Sequence, residues 1–466
     1  MSDEAIRFYS TLTKRKEPLE PGPDGTVRIY VCGPTVYSRV HIGNARPFVV
    51  FSVLKRYLDR RGLRAILVCN ITDINDKIYA TARAEGRPSD EVARHYADAY
   101  REDTDRLGLG RPTHEPTVTD TMPEIISLIS DLIDRGLAYA ADGDVYFRVD
   151  RFDGYGKLSG RRLDEMRSEE PGGGKESPLD FALWKGHKPD EDTSWDSPWG
   201  PGRPGWHIEC SAMAETTLGM DFDIHGGGID LAFPHHENEI AQSEGARGVP
   251  FAKIWMHNEM LELSGEKMAK SVGNIQSLAD VLDRWPRDTV VAYFLTSHYR
   301  SKIPFSDERL EEAGRRVERL RNTLRAIDAA IAAPGEGTNV ALASALITAR
   351  SAFFDALDDD FNTPEAFAAL DTVSRAINHE LGENRPSAAQ LREIRHQLIE
   401  LLDVFALGSI DDAQATPPEV LELLEQRGAA RAAKDFAESD RLRDAIADLG
   451  YEIRDGAEGA TVVPRT

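Results

Sequence analysis

Two rhythms of apolar residues run along this chain, and the change from one to the other divides it. Val27-Arg28-Ile29-Tyr30-Val31 is β-branched and aromatic and reads as a short buried strand, which Gly33-Pro34 ends. Val49, Val50, Val53, Leu54, Tyr57 and Leu58 then recur at helical spacing, and Ala65-Ile66-Leu67-Val68-Cys69 is a second apolar strand. Strand, loop, helix and strand make a βαβ unit, and hence a parallel sheet whose ligands bind beyond the strands' carboxyl ends. The segment from Cys32 to Arg46 reads as a loop and lies at that edge.

Helical patterns fill 88–140, and Asp144 to Val149 reads as a strand. From 151 to 204 the chain turns loop-like, with Pro171-Gly172-Gly173-Gly174 and a Pro/Gly/Trp-rich stretch over 189–205. Asp221 to His225 reads as a strand returning to the sheet, followed by Gly226-Gly227-Gly228 as a turn where a base or phosphate can approach the backbone. From residue 306 Leu310, Ala313, Val317, Leu320, Leu324 and Ile327 repeat every three or four residues, the mark of a bundled helix. Further helices start at Thr363-Pro364 and run through Leu391 to Leu402, so 306–407 reads as a helical bundle. A linker over 408–417 leads to a small unit of two helices and a hairpin, Tyr451 to Arg454 with Thr461 to Val463.

Composition narrows the class. The 466 residues suggest about three domains. Hydrophobic residues make up 41% and charged ones 29%, which fits a globular protein with a substantial core. No apolar run is expected to approach the ~20 residues of a membrane span. Met1-Ser2-Asp3-Glu4 does not begin a secretory signal, and three cysteines form no disulfide framework, so a reducing cytoplasm is expected. A net charge of −23 argues against a surface that coats nucleic acid, although RNA binding needs only a local basic stripe.

Cys32, Cys210, His235 and Glu239 are the sharpest chemical signal. His235 and Glu239 stand four apart and can share a helix face; Cys32 ends the first strand; Cys210 ends the strand-like or loop segment from Gly205. Thiolate, imidazole and carboxylate suit zinc. Spacing alone leaves open that the cysteines are small buried hydrophobes and the other two an ordinary helix pair. Asn70 to Lys77 could be the floor of a ligand site or a solvated turn before a capped helix.

His41-Ile42-Gly43-Asn44 resembles the HIGH signature of class I aminoacyl-tRNA synthetases, and Lys267-Met268-Ala269-Lys270-Ser271 their KMSKS signature. Tyr30-Val31-Cys32-Gly33, Asn70-Ile71-Thr72-Asp73, Gly205 to Cys210 and Phe233 to Glu239 resemble the cysteinyl-tRNA synthetases in particular, and the resemblance spans essentially the whole chain. It implies an α/β fold: a Rossmann-like parallel-sheet catalytic domain (1–120 and 205–262) split by a connective insertion (121–204) that carries the tRNA acceptor end. A KMSKS-type loop and connecting region (263–305), the helical bundle (306–407) and a C-terminal α+β anticodon-binding unit (418–466) would follow.

The implied activity is formation of cysteinyl-adenylate from L-cysteine and ATP, then transfer to tRNA(Cys). The resemblance makes Cys32, Cys210, His235 and Glu239 ligands of one zinc ion. It assigns ATP and its Mg2+ to His41, Gly43, Asn44, Gly226, Gly227, Gly228, Lys267, Lys270 and Ser271, with His41, Asn44, Lys267 and Lys270 catalytic. It places Gly33, Thr72, Trp206 and Asp230 around the cysteine. Asn44 replaces the second histidine of HIGH and Ala269 the first serine of KMSKS, so one hydroxyl is lost and both lysines remain. Arg315, Arg319, Arg427, Arg431 and Lys434 are candidate RNA contacts, a solvated helix face being the alternative. The family expectation is a cytoplasmic monomer. A cysteine–amino-sugar ligase of mycothiol synthesis would share the adenylate chemistry but not the tail beyond 418; a catalytically dead zinc-containing RNA-binding module is a third reading.

Overall fold

In the computed structural model, residues 5–166, 174–263, 266–267, 276–383, 385–408, 418–433, 435–456 and 459–464 are described. The chain forms two compact units, Met1–Gly408 and Ser409–Thr466.

The first unit is built on a four-stranded, all-parallel sheet. Its strands are β1 (Thr26–Val31), β2 (Arg64–Cys69), β3 (Phe222–Gly228) and β4 (Ala252–Asn258), in the order β4-β3-β1-β2. The helix α1 (Ile42–Arg60) crosses from β1 to β2, as the apolar rhythm predicts, but it begins at Ile42 and so takes in the last five residues of the segment read as a loop. Ile29 of β1 pairs with Leu67 of β2 on one side and Ile224 of β3 on the other. After β1 the chain first moves outward to β2, and later returns to the opposite side of β1 with β3. The crevice at the carboxyl ends of β1 and β3 is therefore the switch point of the sheet, where ligands sit in open α/β folds.

Between β2 and β3 lies an antiparallel sheet of Ala138–Ala141, Asp144–Phe147, Phe181–Gly186 and Gly202–Pro204. The last two strands correct the loop reading of 151–204. Phe181, Ala182, Leu183 and Trp184 form a buried apolar run that the surrounding Pro and Gly disguise. The chain then enters α2 (Trp206–Leu218), β3, α3 (Glu237–Arg247) and β4. Cys210 thus lies in the second turn of a helix, not in the expected strand-like or loop segment.

Gly226, Gly227 and Gly228 are the last residues of β3 rather than a turn after it. A Cβ on Gly226 would lie 2.2 Å from the ring of Phe51 on α1, so this glycine serves close packing of α1 on the sheet.

Four helices, Asp307–Ala332, Val340–Asp358, Thr363–Glu383 and Ala388–Val404, form the bundle. All six residues of the 310–327 stripe are buried. Val340–Asp358 is long and apolar enough to cross a membrane, with mean hydropathy 1.5, contrary to the expectation that no stretch approaches that length. Leu342, Leu346, Phe353 and Leu357 of this helix are buried inside the bundle. The second unit has two helices, Pro418–Ala432 and Phe436–Asp448, and an antiparallel hairpin of Tyr451–Gly456 and Gly459–Pro464 around Val420, Ile446 and Tyr451.

One buried cation ties α1 to the segments that follow β4. Arg46 has no exposure, and it donates to the carbonyls of Glu259, Met260, His298 and Ser301, the last at 2.7 Å. Burial pushes the Arg46 guanidinium down to about 10, against the opposing pull of Tyr293 and Glu259, and among the described residues it forms no ion pair. Replacing Arg46 by Ala would remove all of these hydrogen bonds; Glu259, Met260 and His298 would keep donors from Asn258, Ile303 and Ser301, while Ser301 would lose its Arg46 donor. Hydrogen bonds to a charged group contribute about 1.5–3 kcal/mol each, so Arg46→Ala should lower the unfolding free energy by about 3 kcal/mol or more in urea titration. An unchanged midpoint would contradict this.

Candidate active site

Cys32 follows β1, and its N–H donates to the carbonyl of Gly226 on β3 at 3.2 Å, which places it at the switch point. The next residue must be glycine: a Cβ on Gly33 would lie 1.7 Å from the carbonyl oxygen of Asn70. Asn70, at the end of β2, accepts from the Gly33 N–H at 2.9 Å and lies 3.7 Å from Cys210 Sγ. Three strand ends and α2 thus converge on one point.

α3 and the turn before it supply the rest. Glu239 is fully buried. Its Oε1 lies 3.4 Å from Cys32 Sγ and 3.1 Å from His235 Nε2. The donor atoms of Cys32, Cys210, His235 and Glu239 all lie within 4.8 Å of one another. Metal–ligand bonds of ~2.0–2.3 Å in a tetrahedron imply ligand separations of roughly 3.3–3.8 Å. The observed spacings need only small shifts, so the group can hold a metal ion.

The protonation states agree. Burial, with Cys210 and Glu239 alongside, pushes the Cys32 thiol well above its ordinary range. The hydrogen bond with Cys32 pulls the Cys210 thiol down, but burial together with the charges of Glu239 and Glu209 outweighs it and raises the thiol. Burial and neighbouring imidazoles hold His235 well below the usual histidine range. Its ring is therefore neutral, as a ligand must be, and a bound cation would draw the protons from the thiols.

Further groups orient this cluster. Trp206 stacks on His235 with ring centroids 4.2 Å apart, and His207 Nδ1 meets His235 Nδ1 at 2.9 Å, which leaves Nε2 directed at Glu239. Sequence reasoning offers His236 and Glu237 as possible supports for a ligand but misses His225, whose Nε2 lies 2.8 Å from Glu239 Oε2, and the continuation of the chain from His236 Nδ1 through His257 to Thr11 Oγ1, with 2.8 Å at each step. Only the run of histidines around position 235 hints at such a shell. Glu237 is no part of it: it accepts from the N–H groups of Leu158 and Ser159.

The residues expected around the amino acid divide. Thr72 and Trp206 belong to this cluster, and Thr72 Oγ1 donates to the buried Glu209 at 3.3 Å. Burial pushes the Glu209 carboxyl well above the carboxylate range, and no sequence signal singles it out. Asp230 lies in a single turn after β3, where it borders a cavity lined by Thr11, Lys14, Ser159, Arg161 and Phe233.

His41, Gly43 and Asn44 sit at the start of α1, where His41 Nδ1 accepts from the Asn44 N–H at 3.3 Å and caps the helix. Residues 276–278 dock on this motif: Ile42 N–H donates to Gln276 O and Leu278 N–H to Val40 O. Lys267 ends a short strand, Glu266–Lys267. Its side chain, together with Ser264, Gly265, Ala269, Lys270 and Ser271, lies outside the described residues, as does Lys434. Arg315 and Arg319 are exposed on the bundle, and Arg431 is exposed in the second unit. Arg427 is only 7% exposed, which removes it from the candidate RNA contacts.

Residues 18–315 match the catalytic domain of class I (C) tRNA synthetases, 352–408 a DALR domain, and 413–462 the cysteinyl-tRNA ligase anticodon-binding domain. The chain belongs to the cysteinyl-tRNA synthetase family. Similar curated proteins include the cysteine–tRNA ligase of Syntrophotalea carbinolica, 45% identical with 98% of both chains covered. That of Halorhodospira halophila is 46% identical over 97% of this chain and 98% of the relative. Among solved structures, the Mycobacterium tuberculosis methionyl-tRNA synthetase with methionyl-adenylate matches with a TM-score of 0.61 at 16% identity, covering 86% of this chain and 94% of that one. The Agrobacterium radiobacter leucyl-tRNA synthetase in its ternary complex matches at 0.62 and 13%, covering 84% and 85%. At those identities the likeness is one of fold: a class I synthetase with a parallel-sheet catalytic domain and a helical C-terminal region.

If the cluster is the metal centre, removing its shared carboxylate should empty it. Glu239→Gln is expected to lower bound metal by tenfold or more after dialysis. Cys69→Ser should retain full occupancy, since Cys69 sits in β2 near Tyr100 instead. Elemental analysis of the two variants checks this, and equal metal content would contradict the assignment.

Proposed function

We propose that this protein joins L-cysteine to tRNA(Cys), using ATP with its Mg2+ and releasing AMP and pyrophosphate. The observation that carries the reading is the convergence of two cysteines, a histidine and a glutamate at the switch point, beside Thr72 and Trp206. The proposed metal is one zinc ion on Cys32, Cys210, His235 and Glu239. When bound, zinc there supplies a soft acid for a thiolate, which a serine hydroxyl does not match.

The chain's own residues do the rest. In the first step the cysteine carboxylate attacks the α-phosphate of ATP and pyrophosphate leaves, so no protein nucleophile is needed. His41, Gly43 and Asn44 at the positive end of α1, with Lys267, Lys270 and Ser271, would bind and neutralise the phosphates. Gly226, Gly227 and Gly228 would lie along the nucleotide as the bare edge of β3. Gly33 and Thr72 would bound the amino acid with Trp206, and Asp230 would reach it from the neighbouring cavity. Docking of 276–278 on His41–Ile42 supports joint action of the two signatures.

The match of 413–462 to the anticodon-binding domain favours tRNA over an amino sugar as acceptor. The insertion (121–204) would take the acceptor end and 418–466 the anticodon, in a cytoplasmic monomer. The bundle also offers an RNA surface: Arg309, Arg316 and Arg319 line a cleft with Thr296, Ser297 and Glu312. Glu312 engages Arg309 and Asp371 engages Arg316, whereas Arg319 is exposed and carries no ion pair among the described residues.

Transfer of labelled cysteine to total tRNA, with serine in parallel, tests the main reading. Cysteine should be charged and serine rejected by about 10⁴ or more, since the selected group is one that serine lacks. Equal charging, or none, would contradict it. Arg319→Ala should raise the KM for tRNA about three- to tenfold and reduce the salt dependence of binding by about one phosphate contact. Its cysteine-dependent ATP–pyrophosphate exchange should be unchanged, and an unaltered KM for tRNA would remove this arginine from the interface.

A further inference from the structure

The metal cluster has more donors than one ion needs. Cys32, His225, His236 and Glu239 form a second group whose donor atoms also lie within 4.8 Å of one another. It shares Cys32 and Glu239 with the first group and replaces Cys210 and His235 by the two histidines. We propose that these four residues form a second metal position, which a single ion occupies in alternation with the first.

Glu239 is built to serve both positions. Its Oε1 faces Cys32 and His235, while its Oε2 faces His225 Nε2 at 2.8 Å. A small rotation of this carboxylate hands an ion from one side to the other. His236 is fully buried, and its Nε2 has no hydrogen-bond partner among the described residues. That nitrogen lies 3.9 Å from Glu239 Oε1, just beyond a tetrahedral edge, so a small shift brings it into range. Both donor rings are held in place. His236 is fixed through Nδ1 by His257, and His257 by Thr11. His225 stacks on Trp255 with centroids 4.3 Å apart and planes 13° from parallel. A buried, unpartnered imidazole nitrogen is costly to retain in a core unless something meets it.

The two positions differ in surroundings and in chemistry. The first lies beside Trp206 and Asn70, on the side of Thr72, where the amino acid is expected. The second lies against β3 and β4, which carry His225, Trp255 and His257. The first set has two thiolates and favours softer ions; the second has one thiolate and two imidazoles and suits borderline ions. An ion in the second position is withdrawn from the amino-acid side, a resting place from which the substrate's thiolate can draw it back.

This inference rests on the cluster's being the metal site. The full-length chain is loaded with Co2+, and its absorption reports thiolate-to-metal charge transfer. The double variant Cys210→Ser/His235→Ala lacks both ligands unique to the first position. It should still bind one Co2+, with charge-transfer intensity about half that of the parent, and a further His236→Ala should weaken that binding by about tenfold or more. A folded double variant that binds no Co2+, or whose Co2+ is indifferent to His236→Ala, overturns the second position. A parent chain that binds no Co2+ overturns the metal reading as well, which separates the two failures. If circular dichroism shows the double variant unfolded, ¹¹³Cd NMR of the parent and of His225→Ala/His236→Ala decides. The parent should show a contribution from one-thiolate coordination that the variant lacks, and identical spectra would overturn the proposal.

Discussion

A carboxylate without any contact with water, Glu239, sets the terms of this site. Burying such a group unpaired costs several kcal/mol, so the chain must surround it with donors or a cation. It does so from three directions: Cys32 after β1, His225 within β3, and His235 one turn earlier in the chain. α2 adds Cys210 and the Trp206 ring, and β2 adds Asn70. The parallel order β4-β3-β1-β2 makes this convergence available, because it brings the end of β1 and the end of β3 side by side. A metal ion is the simplest group that satisfies a carboxylate, neutral imidazoles and reluctant thiols at once.

The site's second half is coupled to the first through α1. The helix starts at the HIGH-like motif, its Phe51 packs on Gly226, and its Arg46 gathers the carbonyls of Glu259, Met260, His298 and Ser301. The segments before and after the signature lysines are thereby referred to the helix whose N-terminus would face the phosphates. Leu261–Leu263 pairs with both Glu266–Lys267 and Ile303–Phe305, so the strand leading to Lys267 shares a sheet with the strand that leads into the bundle.

Local patterns are legible in the sequence and long-range pairings are not. The βαβ unit, the bundle stripe from Leu310 to Ile327 and the C-terminal hairpin follow from periodicities of two and 3.6, which each residue's neighbours reveal. The four cluster residues are readable through their motif words, since spacing alone leaves a pair of core cysteines equally open. Beyond His236, which stands next to His235, the histidine shell is invisible along the chain because its partners are far apart in sequence: Thr11 meets His257, and His225 meets Glu239 only once β3 and α3 are folded. The strands of the insertion are hidden by flanking Pro and Gly. The three glycines of β3 mislead because a glycine run reads as a turn, yet here close packing of Phe51 demands small residues within a strand.

The central claim is that the cluster holds a metal which takes the substrate's sulfur directly. X-ray absorption at the zinc edge of the loaded full-length chain, with and without cysteine, tests it most directly. The number of sulfur neighbours should rise by at least one when cysteine is added and stay constant with serine. An unchanged sulfur count on saturation with cysteine would contradict the account.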